Sequence, residues 1–478
     1  MGIDGKLLVM FRSMYNIVKS CIKHNNNFSD FFEIAVGLRQ GQTNSPTFFS
    51  LFLNDLELEL KNDISCGLTI DELRIIILLF ADDMVIFGET VGELQKSLDC
   101  LHQYCLKWGL EVNTEKTKIV VFRKRGGLKN NEIWHFKGKC LKTVNDFNYL
   151  GVTFNYTGTF VLNIKCIKSK ALKAMFVLLN NVKKYEVQPQ LAMQLFDSFV
   201  SSILNYGCPI WGFTKSKDLE RIHLQFCKAI LGVKQTTSNA AIYGELRRYP
   251  LYVARYVSIL KYWFKLIHSE NTLLHTVYID ALSSHLNGSN NWVTNVKRLL
   301  DEYGFTYAFE NSHSININHF IKLFKNTVID CFIQKWYSDV AANSTLSTLY
   351  MNLKVDFELP HYMSKILSFE LRSCISKIRV GAHNLFIESQ RYGRSRKDRH
   401  ERKCILCTKQ DIEDEYHFII ICSKYDDIRK KYIPRHYYRK PSMSKFLELL
   451  NSSNKNTLLK LGNYIIQASK IRTSSIYT

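Results

Sequence analysis

The strongest constraint on the fold is the segment Phe80-Ala81-Asp82-Asp83, which separates two short apolar runs, Leu73–Leu79 and Met84–Phe87. Both runs are too short for a helix and rich in β-branched or aromatic residues, so they predict two buried strands of a hairpin. Adjacent carboxylates beside an apolar core lose hydration, and a bound cation is the usual compensation. Their oxygen atoms suit Mg²⁺. Taken alone, an ordinary Asp-Asp surface turn is the alternative interpretation.

The residues on both sides of this hairpin carry further signals. Residues 37–46 place two glycines around Arg39 and Gln40, which makes a loop whose backbone can approach a ligand closely. Ser45 followed by Pro46 predicts a helix N-cap with proline at the first helical position. Downstream, residues 90–93 predict a capping box for a helix that runs to Trp108 and stops at Gly109.

Two more segments follow that helix. Residues 110–118 contain Lys116 and lead into a predicted strand, Ile119–Phe122, and residues 147–152 contain the pair Leu150-Gly151. Taken in this order, the four segments resemble the palm of a reverse transcriptase from a non-LTR (LINE-type) retrotransposon.

The resemblance implies a role for each matching position. Asp82 and Asp83 match the catalytic carboxylates that hold Mg²⁺ or Mn²⁺, and Lys116 matches a general acid for the pyrophosphate leaving group. Substrate-binding positions are Arg39, Gln40 and Gly41 near the incoming nucleotide and template, and Leu150 and Gly151 at the primer end. The alternatives are a polar loop residue at Gln40, a solvated charge at Lys116 and an ordinary turn at Leu150-Gly151.

The resemblance also predicts that one of the metal-binding carboxylates of the family has no counterpart in this chain. Nucleotidyl transfer uses two metal ions about 3.5–4 Å apart, and in this family a third carboxylate on an earlier strand bridges them. Neither Asp4 nor Asp30 has the expected flanks, and the stretch Leu7–Ile22 reads as the helix that follows that strand. We therefore expect the first catalytic strand and the fingers to be missing from this chain.

Composition agrees with a nucleic-acid partner. Lys and Arg number 64 against 43 Asp and Glu, which gives a net charge of +21. With 46% apolar residues the chain is not disordered overall. Basic clusters at 123–125 and 394–397 suggest nuclear import or RNA contacts, with solvated loops as the alternative.

Cysteine usage bears on location. The 13 cysteines are odd in number and form no small-domain framework, and neither a signal peptide nor a membrane-spanning run is present. We expect a reducing, intracellular location, nuclear or cytoplasmic or both, and no membrane partner.

The chain after residue 155 is predicted to be mostly helical. Apolar spacing of three and four predicts helices over Leu162–Tyr185, Pro189–Leu204 and Leu219–Leu231. The first carries a basic face suited to a template-primer backbone, formed by Lys165, Lys168, Lys170 and Lys173. Residues 203–212 and 226–233 resemble the thumb and post-thumb segment of LINE-type enzymes.

A second chemical site lies near the C-terminus. Cys404 and Cys407 are two residues apart, nine residues separate Cys407 from His417, and four separate His417 from Cys422. A Cys₃His set at this spacing predicts a closed structural Zn²⁺ site, with His417 and Cys422 supplied from a following helix. The spacing resembles the CCHC knuckle of the same family. Unrelated buried cysteines are the alternative.

The resulting prediction is an α+β chain: a partial reverse-transcriptase palm with an antiparallel sheet and packed helices, then a mostly α-helical thumb and C-terminal region with a small zinc knuckle. The predicted segments are the palm at 1–155, thumb at 156–250, a helical linker at 251–390, the basic knuckle region at 391–440 and a tail at 441–478. The resemblance implies an RNA-directed DNA polymerase fragment, expected to be inactive alone, with RNA template, DNA primer or target and dNTPs as partners. The alternative is a non-catalytic RNA- or DNA-binding remnant that uses the basic thumb and the knuckle.

Overall fold

The computed structural model describes residues 4–63, 67–123, 126–342, 348–366, 368–392 and 396–477. It divides into two compact units, residues 1–121 with 125–144, and residues 122–124 with 145–478. Within the two predicted basic clusters, Lys124, Arg125, Arg394 and Ser395 lie outside the described residues. In the described part of the chain, no helix has both the length and the apolar character needed to cross a membrane.

The first unit contains small two-stranded sheets. The antiparallel pairs are Val18–Ser20 with Phe32–Ile34, Lys23–His24 with Asn27–Phe28, Leu68–Ile70 with Leu73–Ile75, Ile77–Phe80 with Asp83–Ile86, and His135–Phe136 with Lys139–Cys140. Lys118–Ile119 pairs in parallel with Lys142–Thr143.

Within its described residues, the first unit also contains four helices. They span Gly5–Tyr15, Ser45–Phe52, Leu56–Asp63 and Val91–Trp108. The core forms where Leu56 and Leu60 meet Leu98 and Leu101 of the long helix, together with Ile77 at the base of the Asp82 hairpin. Leu53 is the first buried side chain among the described residues, so residues 4–52 contribute none.

Three local predictions need correction. The helix predicted over Leu7–Ile22 ends at Tyr15, because Ile17 adopts a left-handed φ of 59° and the residues after it pair as a strand. The N-cap of the next helix is Asn44 rather than Ser45, whose hydroxyl donates to Arg39 O instead. The strand predicted over Ile119–Phe122 is limited to Lys118–Ile119.

The predicted cap residues of the long helix are confirmed, but the reciprocal bond of a capping box is displaced from Thr90 to Glu89. The Thr90 side chain accepts a hydrogen bond from the backbone N–H of Glu93, and Gly109 closes the helix with a left-handed φ of 67°. The Glu93 carboxylate accepts from the backbone N–H of Glu89. Polar side-chain capping and a C-terminal glycine therefore set both ends of this helix.

The second unit is mainly helical and begins with the hairpin Asp146–Tyr149 and Val152–Asn155. Its helices up to residue 342 are Val161–Lys184, Pro189–Phe196, Ser202–Leu204, Cys208–Trp211, Lys217–Leu231, Asn239–Leu246, Leu251–Ile267, Thr272–Leu286, Trp292–Glu302, Thr306–Glu310 and Ile317–Ala342. Those after residue 347 are Thr348–Leu353, His361–Lys365, Phe369–Arg379, Phe386–Ser389, Asp426–Tyr432, Arg435–Arg439, Met443–Leu450 and Lys455–Tyr477. Shorter 3-10 turns occupy Ser312–Ser314, Arg399–Glu401 and Ser423–Tyr425, and π-helical turns occupy Asp197–Ser201 and His417–Ile421.

The α+β class is confirmed, and the helices predicted over Leu162–Tyr185 and Leu219–Leu231 are present within one or two residues of their expected ends. The helix predicted over Pro189–Leu204 is interrupted by the π-helical turn Asp197–Ser201, which separates Pro189–Phe196 from Ser202–Leu204. One hydrophobic core joins thumb residues such as Phe196 and Phe226 to Phe418 of the knuckle region and Tyr464 of the last helix. A second core lies within residues 253–328. Residues of the predicted thumb, knuckle and tail segments thus share one core. The five-segment division stays a prediction from sequence.

A buried ion pair links distant helices of the second unit. Arg379 Nε lies 2.9 Å from Glu245 Oε2, and the two side chains are 1% and 0% exposed. Tyr362 Oη donates to the same carboxylate at 2.6 Å. The guanidinium also donates to Leu450 O at 3.0 Å and to Asn451 Oδ1 at 2.8 Å. Every charged atom of the pair thus has partners, which a buried charge requires.

Removing one member of this pair should destabilise the second unit. We expect Arg379→Met to lower its free energy of unfolding by roughly 3–5 kcal/mol, because the Glu245 carboxylate would stay buried without its counter-ion. Hydrogen exchange of the helices Asn239–Leu246 and Phe369–Arg379 measures the change.

The matched control is Arg247→Met, because the ion pair of Arg247 with Glu358 is exposed on the surface. Exposed pairs contribute about 0–1 kcal/mol, so exchange should barely change in this variant. Equal effects of the two substitutions would contradict the assigned importance of the buried pair.

Candidate metal centre and palm hairpin

The Asp82 hairpin has a two-residue turn. Phe80 pairs with Asp83, so Ala81 and Asp82 form the turn itself, and Ala81 adopts a left-handed φ of 51°. Such a conformation is uncommon for alanine and marks local strain, which often accompanies functional turns. Both carboxylates are exposed. The turn therefore presents two adjacent oxygen donors to solvent.

The prediction of two buried strands holds only at the base of this hairpin. Ile77 is buried, whereas Leu79 and Phe80 are 40% and 62% exposed. The Asp82 and Asp83 carboxylates therefore do not lie against an apolar core within the described residues, and desolvation is not what would favour a cation here. Only the proximity of the two carboxylates in the turn favours a bound cation.

The Tyr15 side chain makes two contacts with the glycine loop. The Arg39 guanidinium lies 5.8 Å from the centre of the Tyr15 ring, and Tyr15 Oη donates to Gln42 Oε1 at 3.1 Å. Gly41 has a φ of 84°, which side-chain-bearing residues rarely adopt. Arg39, Gln40 and Gly41 are all exposed. The loop is thus a preformed, accessible backbone turn.

Lys116 sits in a turn organised by Asn113. The Asn113 side-chain oxygen accepts from the backbone N–H groups of Glu115 and Lys116, at 3.1 and 3.0 Å. The Lys116 side chain is exposed.

The Leu150-Gly151 pair forms the turn of the second unit's hairpin, with φ values of 47° and 82°. Tyr206 Oη donates to Leu150 O at 2.7 Å, and its ring closes over Gly151, where a Cβ would meet the ring at 2.8 Å. Only glycine fits this position without displacing the ring. Sequence reasoning did not single out Tyr206, although it lies inside the thumb-like segment 203–212.

The predicted site residues are divided between the two compact units. The glycine loop, Asp82, Asp83 and Lys116 belong to the first compact unit, whereas Leu150 and Gly151 belong to the second. Among the described residues, no third carboxylate, histidine or cysteine joins Asp82 and Asp83 in a group that could hold a metal ion.

The four predicted zinc ligands do come together. The ligand atoms of Cys404, Cys407, His417 and Cys422 all lie within 4.8 Å of one another. The Cys404 and Cys422 sulfurs are 3.9 Å apart, and Cys407 Sγ is 3.4 Å from His417 Nε2. Tetrahedral zinc with Zn–S of about 2.3 Å and Zn–N of about 2.0–2.1 Å needs separations of roughly 3.8 and 3.6 Å. The donor set and its spacing therefore fit a zinc ion.

A π-helical turn creates this geometry. Residues His417–Ile421 form the turn, and the Cys422 N–H donates to His417 O at 2.8 Å, five residues back. The wider π turn brings residues five apart onto one side, which an α-helix does not do. The prediction of ligands from a following helix is correct in position, and the structure adds the kind of helix.

The surroundings hold the ligands in place. Cys404, His417 and Cys422 are buried, and Arg429 donates to Ile419 O at 2.9 Å and to Cys422 O at 2.6 Å. Asp411 Oδ2 lies 3.6 Å from His417 Nδ1, the ring nitrogen that faces away from the cysteines. This separation is too long for a hydrogen bond, so the carboxylate lies near the ring without fixing its orientation.

The two buried cysteines favour one thiolate even without a metal. The contact with Cys422 lowers the pKa of Cys404, more than burial raises it. A thiolate is the form that binds zinc.

Comparison with known proteins agrees with these features. Residues 4–154 match the family described as reverse transcriptase (RNA-dependent DNA polymerase). The chain is 22% identical over 234 residues to the RNA-directed DNA polymerase from mobile element jockey of Drosophila melanogaster, covering 45% of this chain and 24% of that protein. It is 29% identical over 165 residues to a transposon-derived protein of Caenorhabditis elegans, covering 33% of this chain and 57% of that one.

A third relative is the Pol polyprotein from the type-1 retrotransposable element R2 of Popillia japonica, 22% identical over 222 residues, covering 45% of this chain and 35% of the relative. The chain thus spans between about a quarter and somewhat over half of the length of these relatives. The resemblance drawn from the Asp82-Asp83 and glycine-loop motifs is confirmed: residues 4–154 match the reverse transcriptase family, and the relatives are named as polymerases or polyproteins of mobile and retrotransposable elements, which supports a LINE-type reverse transcriptase.

Proposed function

We propose that this chain is part of an RNA-directed DNA polymerase that copies the RNA of a retrotransposon into cDNA. The observation that carries the proposal is the Asp82-Asp83 pair at a strained hairpin turn inside the residues that match the reverse transcriptase family. The partners would be an RNA template, a DNA primer or target and dNTPs. The net charge of +21 supports binding to such polyanions.

The proposed reaction gives each exposed site residue a task. Asp82 and Asp83 would hold Mg²⁺ or Mn²⁺, which neutralises charge on the transferring phosphoryl group when bound. Lys116 would donate a proton to the leaving pyrophosphate. The backbone of Arg39, Gln40 and Gly41 would approach the incoming nucleotide and template. In the second unit, the Leu150-Gly151 turn would contact the primer end.

The Asp82-Asp83 pair fits one divalent cation better than two. Mg²⁺ is commonly held by one or two carboxylates together with waters and substrate phosphates. Two metal ions about 3.5–4 Å apart need a shared ligand, and none accompanies the pair among the described residues. We therefore propose that the 478-residue chain alone is inactive.

Primer extension on poly(rA)/oligo(dT) tests the polymerase proposal. We expect no synthesis from the 478-residue chain with Mg²⁺ or Mn²⁺. A chimera that places the upstream palm segment of the Drosophila jockey relative ahead of Asp4 should restore template-dependent synthesis, because it supplies the bridging carboxylate. In that chimera Asp82→Asn should lower the rate at least 100-fold, since the metal loses a charged ligand.

The matched control in the chimera is Asp71→Asn, which removes the same charge from another exposed hairpin turn of the first unit. It should leave the rate within twofold. Synthesis by the 478-residue chain itself would overturn the proposed inactivity. A chimera that stays inactive while folded would overturn the polymerase proposal.

The second candidate is a non-catalytic RNA- or DNA-binding protein. It is favoured by the contrast between a complete Cys₃His cluster and an incomplete carboxylate set among the described residues. An inactive chimera together with intact RNA binding would support this candidate over the first.

We propose that Cys404, Cys407, His417 and Cys422 hold a structural Zn²⁺ ion. Four protein ligands, three of them buried, leave no open position for a reacting water. The role of the ion would be to order the knuckle. Because the knuckle residue Phe418 belongs to the same core as the thumb helices, that order would extend through the second unit.

Metal analysis of the whole purified chain tests the zinc proposal. We expect about one zinc ion per chain, with affinity that falls as pH falls because protons compete for the thiolates and the imidazole. Cys422→Ser should release the ion and increase hydrogen exchange in the second unit, while the Asp82 hairpin in the first unit keeps its protection.

Cys166→Ser is the control, since Cys166 is an exposed thiol on the helix Val161–Lys184. It should retain zinc. A zinc content near zero for the unsubstituted chain under reducing conditions would show that the four residues are ordinary cysteines and a histidine without a metal.

A further inference from the structure

A cavity of about 530 Å³ lies in the second unit, apart from the zinc ligands and the Asp82 hairpin. We call it the terminal-helix groove, because the last helix, Lys455–Tyr477, forms one wall. The end of the helix Phe369–Arg379 with the loop at 382–385 forms a second wall, and residues 232–234 form a third. None of the roles assigned above uses this groove.

The charge of the groove has one sign. Lys234, Lys377 and Lys470 each come from a different wall, and all three are exposed. No acidic residue is among the described residues that line it. Lys234 Nζ donates to the amide oxygen of Asn384 at 2.9 Å, whereas Lys377 and Lys470 form no ion pair within the described part of the chain.

Two carboxylates, Glu413 and Glu415, are bonded to residues that line the groove. Arg472 makes a two-point contact with Glu413, at 2.7 Å for each oxygen. His383 Nε2 lies 3.0 Å from Glu415 Oε1. Arg472 therefore offsets the charge of Glu413, and the three lysines of the groove outnumber the one carboxylate, Glu415, that remains.

The remaining lining adds polar groups over a buried floor. Ser469 and Thr473 are exposed hydroxyls on the last helix. Ile378, Ile465 and Phe418 are almost completely buried, so they offer little surface on which a base could stack. The three lysines would contact phosphates, and such contacts are insensitive to sequence.

The dimensions favour a chain of phosphates over a single one. The last helix contributes lining residues from Ile465 to Thr473, which spans about 12 Å at 1.5 Å per residue. We propose that the terminal-helix groove binds the phosphodiester backbone of a single nucleic-acid strand. This site is separate from the proposed polymerase centre and does not depend on its activity.

Binding of a fluorescent 20-nucleotide oligouridylate to the whole chain tests the proposal. Affinity is measured by anisotropy between 50 and 200 mM salt for the chain and for Lys234→Gln/Lys377→Gln/Lys470→Gln. Each single-strand phosphate contact contributes about 0.7 to the salt slope, so the slope should fall by about 2 in the triple variant. Crosslinks from 4-thiouridine should map to residues 232–234, 377–385 and 465–473.

Lys460→Gln is the control, because Lys460 is exposed on the same helix but outside the groove. It should leave crosslinks at the groove intact, and so should Asp82→Asn, which separates this proposal from the polymerase proposal. A triple variant with an unchanged slope and unchanged crosslinks would overturn the proposal. Loss of the crosslinks in millimolar inorganic phosphate would show a site for a single phosphate. Loss of the crosslinks with poly(glutamate), as strong as with unlabelled RNA, would show a site for an acidic peptide. Either result would also overturn the proposal.

Discussion

The Glu245–Arg379 ion pair is the interaction on which the second unit most depends. It joins helices that are 134 residues apart in sequence, and the arginine also reaches the end of the helix Met443–Leu450 through Leu450 O. A buried charge without its counter-ion destabilises the fold by more free energy than most single contacts contribute. The helices that contain Glu245, Arg379 and Leu450 must therefore be in place together. This requirement explains why thumb, linker and knuckle residues share one core, and why sequence segments that look separable pack as one body.

The Cys₃His cluster is built on that same body. A π-helical turn places His417 and Cys422 side by side, and Arg429 fixes the carbonyl groups of the turn. Phe418, the residue after the histidine, packs in the core and also lies under the terminal-helix groove. A metal ion at the cluster would therefore stabilise the floor of the groove as well as the knuckle. In this way the proposed metal site and the proposed phosphate-binding surface are physically linked, although no residue would bind both ligands.

The first unit presents the opposite situation. Its core starts at Leu53, and the described residues before it bury no side chain. The Asp82-Asp83 turn is exposed and strained, and the described residues give it no third metal ligand. A catalytic centre needs ligands held within fractions of an ångström by a surrounding shell. The two carboxylates have the right chemistry and the right turn, but the shell that would fix two metal ions around them is not among the described residues.

Sequence alone determined the features that depend on neighbouring residues. It predicted the Asp82 hairpin, the caps at Thr90 and Gly109, most of the helices after residue 155 and the Cys₃His cluster, because turns, caps, helical periodicity and ligand spacing are local properties. The tertiary structure decided what depends on distant partners. These features are the end of the first helix at Tyr15 before a paired strand, the closure of Tyr206 over Gly151, and the lysines gathered from three walls into one groove. No local pattern encodes them, since each arises only when segments tens or hundreds of residues apart pack against each other.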